Sequence, residues 1–501
     1  MTRKDAEKIY FDVREKRHAF GLLFYLNSLD IETGAAPADS IEPRSKQLSV
    51  VSAMLYDMTT SEDFKEAVRT LRNTEGLDPD LAHEIRQEYD GMMKLSHVPK
   101  EEYLAYGEML NVVYPVYVEA KSKSDYSLFM PYLQKIFDYN RKYAEWVATE
   151  GKVGYDVLLD EYEHGYTAQE YDRFFELLRS RIVPLVAKIV KKPLEYNRAF
   201  LSRTFSKEGQ KKFAEYIGEV MCFDKSRTAM LESEHPFTTN NGKYDVRITN
   251  HFYEDNLTSS IFSAIHEMGH GLYELQIDDK HEGTGNSGGT SLAMHESQSR
   301  IMENMLARSY SFWQAHFDKL REIFPEELSD VTLEDFYRHI NEVTPSLIRT
   351  EADELTYSLH VLIRYEIEKA VMDGKAEAKD IPTLWHEQYR EYLGVEVPSD
   401  KEGCLQDVHW AGGSLGYFPT YSLGSAYAAQ LYAAMERDFD IDEALRSGSM
   451  KRIAEWLGER VHRFGSSKFP KDIIKLATGE DFNPEYYVDY LEKKYTKLYN
   501  L

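Results

Sequence analysis

SAIHEMGHGLYE (Ser263–Glu274) sets two histidines four residues apart, with a glutamate directly after the first. On a helix that spacing puts His266 and His270 one turn apart on the same side, where both imidazoles can reach one ion. Glu267 is rotated from them and can address a water at the ion without being a ligand. Leu257, Ile261, Ile265, Met268 and Leu272 recur at intervals of four, four, three and four, which is one helical face. Asn256 stands where an N-cap belongs. The bland alternative is a pair of packed or solvated histidines. Five His-Glu dipeptides occur, at His83, His266, His281, His295 and His386, and only the second has another histidine at the right distance.

A catalytic zinc site commonly takes three protein ligands, so a third is required. The metzincin extension is absent: Tyr273 stands where its glycine should be and Gln276 where its third histidine should be. The other common solution is a glutamate on a following helix. After the glycine-rich reversal HEGTGNSGGT (His281–Thr290) comes SLAMHESQSRIMENMLARS, with Ser291 placed to cap a helix and Ile301, Met305 and Leu306 on an apolar stripe. That reversal returns Glu296 towards the two histidines, whereas an isolated helical glutamate reads as solvated surface. Some related sites carry an orienting aspartate four residues further on. Here that position is Arg300, so support for the ligand histidines must come from elsewhere.

Outward from this motif the chain reads as helix. Candidates cover Met1–Asp30, Arg44–Met58, Pro79–Leu95, Glu101–Lys121, Asp125–Thr149 and Ala168–Val190, and helices resume at Leu257. The clearest strand is KYDVRITNHFY (Lys243–Tyr253), with Tyr244, Val246 and Ile248 alternating with polar neighbours. Strands do not alternate with helices, which argues against a parallel-sheet enzyme. The predicted fold is mainly α: a single domain over residues 1–501, with a bilobed arrangement left open, and a small antiparallel β-sheet near the active site.

The 501 residues are 42% apolar and 29% charged, as in a water-soluble globular protein. A formal charge of −25 argues against nucleic acid or an anionic membrane as partner. The opening MTRKDAEKIYFDVREK has no apolar signal segment, and GLLFYLNSL (Gly21–Leu29) is too short to span a bilayer. Only Cys222 and Cys404 are present, which suits a reducing compartment and leaves no disulfide framework. A cytoplasmic protein is expected.

Six blocks in fixed order carry a resemblance: HPF (His235–Phe237), DVRIT (Asp245–Thr249), HEMGH (His266–His270), HESQS (His295–Ser299), IRTEAD (Ile348–Asp353) and GCLQDVHW (Gly403–Trp410). Together they resemble the thermostable metallocarboxypeptidases typified by carboxypeptidase Taq. The N-terminal 230 residues carry no diagnostic motif of that family. The resemblance implies a helical fold with a deep groove, a divalent metal at its base, and release of single amino acids from the free C-terminus of peptides. It implies a cytosolic homodimer. It also implies His266, His270 and Glu296 as metal ligands and Glu267 as the general base for water attack. One ion per chain is expected, zinc by ligand type, although cobalt or manganese suits the same donors. A second electrophile must hold the oxyanion, with His409 and Tyr421 the first candidates and Tyr417 the next. Arg349 suits the substrate carboxylate, against an ion pair with Glu351, Asp353 or Glu354. Asp245 and Arg247 are expected to pair near the groove, and Gln406 and Asp407 to orient a ligand histidine.

Two rivals differ in chemistry. The same three ligands could serve an oligoendopeptidase or dipeptidase. GGSLG (Gly412–Gly416) matches the nucleophile elbow of serine hydrolases, with Ser414 as nucleophile, acids at Asp438–Glu443 and His462 following, but the elbow needs a preceding strand.

Overall fold

The computed structural model describes all 501 residues, of which 68% are helical. One continuous core of 104 buried apolar residues runs from Val113 to Tyr499 and packs most of the helices together. The N-terminal helices Arg3–Glu32, Glu62–Arg72 and Pro79–His97 instead share a separate eight-residue core that includes Tyr10, Phe64, Leu71 and Ile85. Of these, Glu62–Arg72 was not among the expected helices. Ser61 caps it by accepting the Phe64 N–H, and its apolar residues Phe64, Ala67, Val68 and Leu71 line one buried face. A cavity of about 680 Å³ separates this N-terminal group from the glycine-rich reversal, lined by Arg14, Glu84 and Gln87 on one side and Asn240, Gly285 and Gly288 on the other.

The sheet has three strands, β1 (Thr228–Glu232), β2 (Thr238–Asn240) and β3 (Val246–Asn250), in the order β1-β3-β2. It is mixed rather than antiparallel: β2 pairs antiparallel with β3, whereas β1 runs parallel to it. The reason is that β3 inserts between strands already running in opposite directions. Sequence alternation located β3 but could not report its neighbours. As the central strand β3 is the most buried, and Val246 and Ile248 are fully enclosed. Asp245 and Arg247 pair as expected, with Nε–Oδ1 and Nη2–Oδ2 distances of 2.8 and 2.9 Å.

The sheet positions the motif helix, Leu257–Leu275. Asn250 Nδ2 donates to the Ser260 carbonyl at 2.9 Å, and a methyl on Gly271 would lie 3.3 Å from Val246. Strand and helix therefore meet closely along the stretch that carries the histidines.

Candidate active site

The helix Leu257–Leu275 begins as its sequence predicts, with the Asn256 side chain accepting the Ser259 N–H. Leu257, Ile261, Ile265, Met268 and Leu272 are all buried. Each such side chain contributes about 1.5–3 kcal/mol of apolar burial, enough to fix which face points to the core. The chain reverses and enters the helix Leu292–Arg300, capped by Ser291, which accepts the Met294 N–H. Two glycines let the helices approach. A methyl on Gly269 would lie 2.7 Å from the Gln298 carbonyl oxygen and the Ser299 Cα, and one on Gly424, in the helix Pro419–Asp438, 2.7 Å from the Glu296 Cβ.

This packing brings the three predicted ligands together. Nε2 of His266 and of His270 lie 3.7 and 3.5 Å from the Glu296 Oε2. The three donor atoms all fall within 4.8 Å of one another. Ligands about 2.1 Å from one tetrahedral ion are about 3.4 Å apart, so the histidine–glutamate separations fit a shared cation. Two imidazoles and a carboxylate suit a divalent metal.

Each of the three has a further partner. His266 Nδ1 lies 2.9 Å from Glu303 Oε2, and Arg308 donates to the other Glu303 oxygen at 2.9 Å. His270 Nδ1 lies 2.7 Å from His295 Nδ1, whose Nε2 is 2.8 Å from Glu274 Oε1. Arg300 Nε donates to Glu296 Oε1 at 2.6 Å, so this position neutralises the Glu296 carboxylate instead of orienting a histidine. Burial pushes the Glu296 carboxyl up, but Arg300 and the two histidines outweigh it and hold it well below the usual carboxylate range. Glu267 is held at Oε2 by the Thr238 hydroxyl of β2 at 2.6 Å.

A second cluster adjoins the first. Arg349 is 5% exposed. Its Nε and Nη2 donate to Asp407 Oδ1 at 3.1 and 2.9 Å, and its Nη1 to the Tyr357 hydroxyl at 3.2 Å. Arg364 Nε donates to Asp407 Oδ2 at 2.7 Å, so two guanidinium groups share one carboxylate. Two of the three nearby acids are engaged elsewhere and Glu351 is exposed: Asp353 caps its own helix by accepting the Leu355 and Thr356 N–H groups, and Glu354 accepts the Tyr495 hydroxyl at 3.0 Å. Gln406 and Asp407 hydrogen-bond neither His266 nor His270, which corrects that expectation. Gln406 accepts the Arg349 backbone N–H, and Asp407 faces the arginines because these carry the charges within its reach.

His409 Nε2 lies 3.2 Å from the Tyr421 hydroxyl, and its buried Nδ1 has no partner. Burial, against the pull of Asp407, lowers the His409 pKa to about 4, so the ring is neutral at neutral pH. The Tyr421 ring lies 4.8 Å from the Arg349 guanidinium, and Tyr417 packs edge-on against Tyr421 at 5.3 Å. Tyr357 joins the clusters: it accepts from Arg349, and its ring lies 4.3 Å from the guanidinium of Arg300, which holds Glu296.

The serine-hydrolase geometry is absent. A 3₁₀ turn, His409–Gly412, precedes Ser414 where a strand is required, and His462 is engaged with Gln276 and Gln298. Glu368 secures this loop by accepting the Trp410 Nε1–H and Gly416 N–H at 2.6 and 2.8 Å. Sequence reasoning missed Glu303, Glu274, His295, Thr238 and Tyr357. Glu274 lies four residues after His270 and Glu303 seven after Glu296, both same-face spacings that could have been read. His295, Thr238 and Tyr357 have no comparable signal.

Known proteins match this chain over nearly its whole length. The family profile described as Carboxypeptidase Taq (M32) metallopeptidase matches residues 13–495, including the N-terminal region that carries no diagnostic motif. Carboxypeptidase 1 of Bacillus subtilis (strain 168) is 39% identical over 500 residues, covering 99% of each chain. Thermostable carboxypeptidase 1 of Thermus thermophilus is 35% identical over 475 residues, covering 92% of this chain and 93% of that one. The crystal structure of the M32 carboxypeptidase from Deinococcus radiodurans R1 superposes with a TM-score of 0.92 at 33% identity, covering 99% of this chain and 98% of that one.

Proposed function

We propose specific roles for the residues of this site on the premise that the chain belongs to the carboxypeptidase Taq (M32) metallopeptidase family and is a metal-dependent carboxypeptidase. His266, His270 and Glu296 hold one ion per chain, zinc by ligand type. When bound, the ion supplies Lewis acidity to the scissile carbonyl and to the attacking water. Glu267, aimed by Thr238, accepts the water proton and delivers it to the leaving amine. Tyr421, paired with neutral His409, donates to the developing oxyanion, and Tyr417 packs beside it. Arg349 binds the terminal carboxylate, because sharing Asp407 with Arg364 leaves one positive charge uncompensated.

The observation that carries this reading is the bridge through Tyr357. It joins the Arg349 cluster to the cluster of His266, His270 and Glu296, which supports reaction at the last peptide bond. The test is mass spectrometry of a peptide ladder with and without chelator, followed by metal add-back. Stepwise C-terminal loss, stopped by chelator and restored best by zinc, is expected. Internal cleavage would overturn the terminal assignment.

The N-terminal group with its own small core reads as one lobe of a single peptidase domain. The helix Ile41–Thr60 buries none of its 20 residues, and Val50 and Met54, one turn apart on one side, are 62% and 50% exposed. Such an apolar face supports a homodimer, checked by light scattering against the 58.2 kDa chain mass. Both cysteines are free, which supports a reducing, cytoplasmic setting. No helix is long and apolar enough to cross a membrane.

A further inference from the structure

The two ligand histidines are supported differently. His266 meets a carboxylate directly: its Nδ1 is 2.9 Å from Glu303, which Arg300 and Arg308 also contact. His270 meets another imidazole, and only beyond it a carboxylate. With His270 Nε2 facing Glu296 at 3.5 Å, its lone pair is needed on that side, so the ring hydrogen resides on Nδ1. His295 Nδ1 must then accept, which places the His295 hydrogen on Nε2, directed at Glu274 Oε1. Every donor in this series finds an acceptor, and reversing one bond would leave two lone pairs opposed.

The surroundings fix this series in place. A methyl on Gly289 would lie 2.6 Å from Cδ2 of His295, and the Tyr273 ring centroid is 5.1 Å from that of His295 on the adjoining side. The imidazole is thus confined by the glycine-rich reversal. Glu274 is 4% exposed and is anchored by two neutral donors, Asn240 Nδ2 at 2.8 Å and the Gly289 N–H at 3.1 Å. No lysine or arginine forms an ion pair with it, in contrast to Glu303. Its acceptor capacity is therefore directed through His295 to His270.

We infer that His295 and Glu274 are positioning residues of the metal site: a relay that holds His270 as its Nδ1–H tautomer and aims its Nε2 at the cation. The inference rests on the ligand set proposed above. It explains why the residue before the ligand glutamate is a histidine, and why a glycine must face it.

The test uses the full chain, stripped of metal and titrated with Co²⁺ in competition with a chromophoric chelator. His295→Ala and Glu274→Gln are expected to weaken Co²⁺ binding by about 10–100-fold and to alter the visible absorption of the bound ion. His295→Asn, whose Oδ1 can accept from His270 near the position of the lost Nδ1, should recover part of that loss. Circular dichroism of the metal-free proteins checks folding, and Glu274→Gln, which conserves volume, serves if His295→Ala fails to fold. Wild-type affinity and spectrum in both variants, or a loss that asparagine leaves undiminished, overturns the relay. A wild-type chain that binds no Co²⁺ would overturn the ligand set itself.

Discussion

The Thr238 hydroxyl lies 2.6 Å from the Oε2 of Glu267 and 2.9 Å from the backbone carbonyl of the same residue. One strand residue, sharing its single hydroxyl proton between two acceptors, therefore meets both the proposed base and the turn of helix that carries it. A general base must lie within hydrogen-bond reach of the proton it takes, and small misplacements are costly. Thr238→Val, which keeps the shape and removes the hydroxyl, should lower kcat about 10-fold with bound metal unchanged. Glu267→Gln in parallel should lower kcat by about 10²–10⁴. A Thr238→Val enzyme with wild-type kcat would show that the bond is structural only.

Arg349→Ala addresses substrate choice. Removing one partner of a buried, hydrogen-bonded charge pair costs about 2–5 kcal/mol, so kcat/KM on free-carboxylate peptides should fall by about 30-fold to several thousand-fold. Asp407 retains Arg364, which limits the structural damage. The preference for free over C-terminally amidated peptide should collapse with it. If both peptides are cleaved as before, Arg349 does not read the carboxylate and the endopeptidase reading gains.

Much of this site was legible because its geometry is local. His266, Glu267 and His270 share one helical stripe, and the cap at Ser291 after a glycine-rich turn returned Glu296 to them. The strand Val246–Asn250 was legible by alternation, but its parallel neighbour was not, since pairing is a long-range property. Thr238 and Tyr357 were invisible for the same reason: Thr238 meets Glu267 29 residues further on, and Tyr357 links Arg349 to Arg300 on a separate helix. Asp407, with Gln406, was expected to orient a ligand histidine. Two arginines brought to it by a different helix and turn decided otherwise.

His316 predicts an acid limb of stability. It is 1% exposed, its Nδ1 is 2.8 Å from the Tyr216 hydroxyl, and burial lowers its pKa to about 4. The folded value lies below the unfolded value of about 6.5, so between them the unfolded chain binds a proton that the folded chain does not. The stability contribution is complete above about pH 6.5 and is lost as pH falls towards about 4, on the order of 3 kcal/mol at most. His316→Gln should flatten the fall of Tm over that range. The measurement uses apoprotein in chelator, so that metal loss does not contribute, and an unchanged slope would exclude His316 as a source.

Gly269→Ala tests whether close helix approach sets the metal site. The added methyl would meet backbone atoms, the Gln298 carbonyl oxygen and the Ser299 Cα, both at 2.7 Å, and neither can rotate away. The helices must separate, and overpacking of this kind costs about 1–3 kcal/mol of stability. Because Glu296 rides on the displaced helix and the two histidines on the other, separation also opens the 3.5 and 3.7 Å contacts of the proposed cation site. Metal affinity should therefore fall along with Tm. Gly288→Ala is the control, since nothing lies within 4 Å of its added methyl, and it should leave stability within about 0.5 kcal/mol. A Gly269→Ala protein that loses stability but binds metal like the wild type would show that the ligand geometry tolerates the shift, with the helix Pro419–Asp438, through Gly424, holding Glu296 in place.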